Sequence, residues 1–226
     1  MFYKKTLGRK GEIVMSDRSL ERTGAACGIV YVVLLMVGPS IGGPTSRVAF
    51  SLEILGFLFF LFFLGSLGSA LRRAEGGSGW LSLTAFGAGL MSVTIKVASA
   101  APVLAARHRS GGLDPQLART LQDINDASFF LTFFPLAVLL AAFAIVAIHS
   151  GALPRWLGWI AAVMSVAFLA GGLAGSADLG SEWAGLPMIL FTVWVVATSV
   201  VLIRRAGEPR PVETEVSTGG RAAPVG

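Results

Sequence analysis

Six apolar runs, each long enough to cross a bilayer as a helix, limit the folds open to this chain more than any motif in it. A hydrocarbon core about 30 Å thick takes about 20 residues of helix at 1.5 Å per residue. The runs occupy residues 24–41, 48–71, 80–103, 127–148, 156–177 and 183–203. The expected fold is therefore all-α, a polytopic transmembrane six-helix bundle with both the N-terminus and the C-terminus cytoplasmic. With 54% hydrophobic and 14% charged residues and a mean hydropathy of +0.73, the chain lies outside the range of soluble domains.

Three parts follow from these limits. Residues 1–23 form a cytoplasmic tail, residues 24–203 the transmembrane domain, and residues 204–226 a polar, Pro- and Gly-rich cytoplasmic tail that reads as disordered. A cleaved signal peptide competes for the first run, but "GPSIGGPT" after it has no A-x-A-like site, which favours a retained helix. "MSDRSLERTG" from Met15 reads as a natural start, so residues 1–14 are expected to be an upstream extension without structural role.

Charge sets the expected orientation, because Lys and Arg are retained on the cytoplasmic side. The first tail carries six, the second loop Arg72 and Arg73, the fourth Arg155, and the last tail Arg204, Arg205, Arg210 and Arg221. The other side carries Arg47, Arg107, Arg109 and Arg119. The expected location is a bacterial cytoplasmic (inner) membrane, with multiple passes and the lipid bilayer as the main partner. Trp80, Trp156, Trp159 and Trp183 fall at span ends, where an indole meets both headgroup and acyl chain. In the third outer loop, residues 104–126, Asp114 and Pro115 make a helix start. Leu117, Leu121 and Ile124 recur at helical spacing, which predicts an amphipathic outer helix leading into the fourth span.

Inside the third span, "SVTIKVASA" contains Lys96. It lies about 10 Å from the outer end, and Glu53 in the second span lies about 9 Å from the same side. Ser82, Ala85, Gly89, Ser92, Lys96 and Ser99 share one helical stripe of small and hydroxyl residues, which turns Lys96 into the bundle. Ala49, Glu53 and Gly56 form a shorter stripe that would let the second span pack against the third. Three readings stay open: snorkelling to headgroups, a structural ion pair with Glu53, and an ion or solute site. An unpaired charge at the bilayer centre costs ~2.5–3.5 kcal/mol on insertion scales. Lys96, Glu53, Ser92 and Ser99 are the candidate ion or solute site.

Other chemistry finds little support. The lone Cys27 excludes an internal disulfide and reads as a small buried residue. His108 and His149 are expected on opposite sides of the membrane, so they cannot share a metal. Asp123, Asn125 and Asp126 match no calcium loop and read as helix-start acids. Ser78 has no histidine partner within the bilayer, and neither a P-loop nor a dinucleotide fingerprint occurs. No metal and no cofactor are expected, and enzyme is the least supported class. The net charge of +5 is scattered through tails and short loops, which excludes nucleic acid as a partner. Gly158, Ala162, Ser165, Leu169, Gly172 and Ser176 form a second stripe that predicts a helix contact in the fifth span. Pro135 should kink the fourth span, with Thr132 helping to satisfy the local backbone. Trp-Leu at the start of the third and fifth spans is a thin hint of a duplicated hairpin.

The run "LQDINDASFFLTFFPLAVLLAAFAIVAIHSGALPRWLGWIAAVMSVAFLAGG", residues 121–172, resembles a group of uncharacterised bacterial integral membrane proteins grouped under a domain of unknown function. The resemblance implies about six helices and brings no activity or site residues. Two functions are expected. The first is a non-catalytic membrane component whose small-residue stripes bind a partner helix or a second copy of the chain. The alternative is a small transporter or channel-like protein using Lys96 and Glu53 near the outer leaflet.

Overall fold

The computed structural model describes residues 17–41, 46–107, 114–177 and 185–207. The expected start at Met15, the extension 1–14, the tail from residue 208, His108 and Trp183 lie outside the described residues. The helices are α1 (Asp17–Ser40), α2 (Arg47–Glu75), α3 (Trp80–Arg107), α4 (Pro115–Leu131), α5 (Phe133–Ser150), α6 (Arg155–Ala177) and α7 (Gly185–Arg205). They provide six stretches long and apolar enough to cross a membrane, with α4 and α5 together making the fourth, Pro115–Ser150.

Local chemistry starts and stops these helices. The Ser46 hydroxyl accepts the Ala49 N–H at 2.9 Å and caps α2. At the far end of α2, Gly76, Gly77 and Gly79 have φ of 63°, 55° and 69°, a left-handed run that side chains disfavour. This tight turn returns the chain into α3, whose first N–H groups are taken by the Glu75 carboxylate: Leu81 donates at 3.0 Å and Ser82 at 2.9 Å. Asp114 caps α4 as expected, accepting the Gln116 N–H at 2.7 Å, with Pro115 in the first turn. Leu117 and Ile124 on α4 are exposed, so the apolar positions of this amphipathic helix are available to lipid.

The fourth span breaks at Thr132, three residues before Pro135. A proline has no N–H to offer the carbonyl four residues back, here that of Leu131. The backbone adjusts: the Thr132 N–H is shared between Ser128 O and Phe129 O, both at 3.2 Å, and the Thr132 hydroxyl donates to Phe129 O at 2.6 Å. The kink and the role of Thr132 thus match the reading of Pro135.

Packing follows chain order around a closed ring. α1 packs on α2, α2 on α3, α3 on α5, α5 on α6, α6 on α7, and α7 returns to α1. Of the fourth span's most apolar stretch, 67% is buried, against 22–39% for the other five, so α5 is the hub of the bundle. An aromatic chain runs through the interior: Tyr31 meets Phe60 at 4.6 Å between ring centroids, Phe60 meets Phe191 at 6.1 Å, and Phe191 meets Phe168 at 5.8 Å. Phe168 in turn meets Phe133 at 4.9 Å. The last three of these are edge-to-face, a geometry that adds about 0.5–1.5 kcal/mol per pair beyond the area buried. Trp80, Trp156 and Trp159 are exposed at helix starts, in keeping with the interfacial role expected of them.

The contact stripe of α6 needs a correction. Gly158 and Gly172 are buried and Ser165 donates to Ala137 O of α5 at 2.7 Å, but Leu169 is 48% exposed and Ala162 only partly covered. Ala161, Met164 and Phe168 are buried instead, so the packed face is rotated towards them. The side chain of Ser176 lies outside the described residues.

Close helix approach yields a first prediction. A Cβ on Gly28 of α1 would collide with the Ser199 hydroxyl of α7 and lie 2.6 Å from the Phe63 ring of α2, whereas one on Gly65 would meet nothing within 4 Å. Gly28→Ala should cost about 1–3 kcal/mol of stability by overpacking. Gly65→Ala should be neutral or gain up to about 1 kcal/mol from helix propensity. Melting of the two variants in detergent checks the contrast.

Candidate functional site

The α3 stripe faces inward as its spacing predicts. Ser82, Ala85, Gly89, Ser92 and Ser99 are buried and Lys96 is half-buried. Gly89 fixes this rotation: a Cβ there would lie 2.6 Å from a Leu64 methyl of α2 and 2.8 Å from a Leu139 methyl of α5. The hydroxyls, however, do not bond across helices. Ser82 donates to Gly79 O at 2.7 Å, Ser92 to Gly89 O at 2.7 Å, and Ser99 to Lys96 O at 2.8 Å, all within the same chain segment. Small volume, rather than cross-helix bonding, is what these serines contribute here.

The α2 stripe faces a different neighbour from the one expected. A Cβ on Gly56 would meet Tyr31 and Leu34 of α1 at 3.6 Å, and one on Gly38 of α1 would lie 3.4 Å from Ala49 O. Ala49 and Gly56 therefore belong to the seam between α1 and α2, not to the contact with α3, and Glu53 lies between them along the helix. The reason is geometric: a short small-residue stripe admits any close helix, and the α1–α2 hairpin is the tighter pair.

Lys96, Glu53 and Ser92 nevertheless meet at one cavity of about 260 Å³, partly open, which also takes in α1, α4, α5 and α7. Phe57, Phe60 and Phe191 form an aromatic wall, and Tyr31, Thr132 and Thr192 bring further hydroxyl-bearing side chains to it. The threonines spend their protons on Phe129 O and Ile189 O, at 2.6 Å and 2.7 Å. Ser99 does not line the cavity; it lies one turn beyond, bonded to the carbonyl of Lys96.

The ion pair with Glu53, one of the three readings open for Lys96, does not form. Among the described residues the only pair within 4.0 Å is Arg73 with Glu21, at 2.7 Å. The Lys96 ammonium instead sits 5.5 Å from the centre of the Phe129 ring. A cation over a ring face is attracted to its quadrupole by about 0.5–2 kcal/mol, depending on desolvation. Lys96 and Glu53 thus face one space from different walls, with opposite charges and no bridge between them. Phe129 and Tyr31 were not recognisable as site residues from spacing. Tyr31 carried a weak signal, as one of only two tyrosines in the chain and a phenol within an apolar run.

The remaining singled-out residues lie apart from this cavity. His149 is exposed in the last turn of α5, its Nδ1 2.9 Å from Ile145 O. Asp126 accepts from Gln122 at 3.0 Å and from Asn125 at 3.3 Å on the exposed side of α4. Cys27 is buried in α1.

Six apolar helices closed into a ring, most of whose large exposed side chains are hydrophobic, define a multi-pass membrane protein. No protein family, curated protein or solved structure matches the chain.

The geometry orders two couplings. Phe129→Leu should cost about 0.5–2 kcal/mol more with Lys96 present than in a Lys96→Met background. The coupling between Lys96→Met and Glu53→Gln should be smaller than this, because no contact pair is broken. Double-mutant cycles of detergent melting measure both; a larger Lys96–Glu53 term would show the two groups bridged in solution.

Proposed function

We propose that this protein is a small solute-binding membrane protein of the transporter class, acting near the outer leaflet of a bacterial cytoplasmic membrane. The observation that carries the reading is the cavity reached by both Lys96 and Glu53. A purely structural scaffold has no need of an ammonium and a carboxylate held apart around an open space, since each alone raises the cost of insertion. The orientation is supported by the arginines: Arg22, Arg72, Arg73, Arg155, Arg204 and Arg205 belong to one end of the bundle, and the positive-inside rule makes that end cytoplasmic. The cavity is then in the outer half.

Charge and shape suggest the ligand class. A carboxylate placed against Lys96 and an ammonium against Glu53 would complete two charge-assisted contacts at once. An apolar body would lie on Phe57, Phe60 and Phe191, and a mostly apolar wall with a few convergent polar groups is the usual character of a small-molecule site. The ligand is therefore a small zwitterion with an apolar side group, such as an apolar amino acid. Ser92 and Tyr31 contribute shape and polarity at the cavity wall.

The test is counterflow of radiolabelled leucine and phenylalanine in proteoliposomes, with thermal shift in detergent as a binding readout. Either zwitterion should raise the melting temperature, and its carboxamide should lose at least tenfold in affinity. Lys96→Met should remove the preference for the free carboxylate, while Glu53→Gln should remove the preference for the free amine. Equal response to charged and uncharged analogues, or none to either, would dismiss the reading.

A further inference from the structure

The opposite end of the bundle holds a second cavity, of about 270 Å³, between α1, α2, α7 and the turn joining α5 to α6. Two guanidinium groups line it, those of Arg73 and Arg205, together with Glu21. Ala70, Leu153 and Leu202 supply apolar wall, and Ser66 lies at its edge with its hydroxyl donated to Phe63 O at 2.9 Å.

The charges here do not cancel. Arg73 Nη1 donates to Glu21 Oε1 at 2.7 Å, which neutralises Glu21 and leaves other N–H groups of Arg73 to serve as donors. The other carboxylate described at this end, Glu75, is already bound to the first N–H groups of α3. Arg205 has no carboxylate within 4.0 Å among the described residues, although it lines a recess. Among the described residues the recess therefore carries a net positive charge with the planar donor geometry that suits an oxyanion.

We propose that this cavity is a binding site for a phosphate group, held by Arg205 and by the free donors of Arg73. Guanidinium pairs bind phosphate bidentately, and basic pockets between transmembrane helices on the cytoplasmic side take anionic headgroups. The phosphate can be the headgroup of an anionic lipid, with its acyl chains outside the bundle, or a free anion from the cytoplasm. Both sources present the same oxygens to the same donors.

The experiment uses the full chain in detergent. Inorganic phosphate is titrated against chloride at equal ionic strength, and separately micelles are doped with phosphatidylglycerol or phosphatidylcholine; melting temperature and lipid retained in native mass spectrometry are read. A rise with inorganic phosphate assigns the free anion, a rise and retention with phosphatidylglycerol over phosphatidylcholine assigns the headgroup, and either supports the site. Arg205→Gln should lose at least fivefold in apparent affinity. Arg72→Gln, at the same level but turned toward Gly79, should lose less than twofold. Arg205→Lys, which keeps the charge but not the fork, should fall between them. The Glu21→Gln/Arg73→Gln double variant avoids stranding either charge and should also lose at least fivefold. No response to any probe, or equal losses in Arg205→Gln and Arg72→Gln, would overturn the site.

Discussion

The approach of α3 to its neighbours at Gly89 governs the half of the molecule that holds the Lys96 cavity. Leucine methyls from α2 and α5 stand where a side chain at this position would go. Such a contact leaves the helix little freedom to rotate, and 3.6 residues per turn then carries the same face through Ser92 to Lys96. The lysine is inside because a glycine seven residues earlier in the chain is wedged between two helices. Membrane helices gain little from hydrophobic association, so close van der Waals packing of this sort has to set their orientation.

Once inside, the ammonium is held in an unusual way for a membrane charge. A contact ion pair would satisfy it most directly, but Glu53 is on the helix face that packs against α1, and Phe129 is the group beneath Lys96. The break at Thr132 matters to this arrangement. It separates the more polar helix α4 from the buried helix α5, and Phe129 lies in the last turn before the break. Pro135, three residues further on, thus shapes the cavity without lining it, through the one N–H it denies to the Leu131 carbonyl.

What was legible in the residues, and what was not, divides along physical lines. Span positions and the inward face of α3 depend on apolar length and 3.6-residue periodicity, both local properties, and the helices reproduce them. The cap at Asp114 and the distortion ahead of Pro135 are likewise chemistry of adjacent residues. The partner of a stripe is not local: Ala49 and Gly56 told of a close helix contact, yet nothing in them distinguished α1 from α3. In α6, small residues stood on two adjoining faces, and the larger Met164 and Phe168 decided which one packs. Phe129 escaped notice because a phenylalanine in an apolar run has the same appearance whether it faces lipid, core or a cation. The Arg205 recess is assembled from four separate segments of chain, so only the folded ring brings it together.

The two ends of the bundle use charge differently, and the difference bears on what the molecule can do. At the arginine end, Glu21 and Glu75 are each committed to a partner inside the protein, and the surplus among the described residues is of one sign. At the other end, Lys96 and Glu53 carry equal and opposite charges that leave each other unbridged across a cavity. A closed pair would be self-sufficient: its mutual attraction would offset part of the desolvation of both ions, and a ligand would have to break it before binding. Separation removes that barrier. Under the proposed function, a ligand of complementary charge would meet two groups that are not already paired with each other. On that proposal a zwitterion would pair both groups, whereas an ion of single charge would pair one and leave the other facing a mostly apolar wall. The separation of the two groups thus depends on how α2 and α3 pack, and Gly89, set against a Leu64 methyl of α2, is part of what fixes how closely those helices meet.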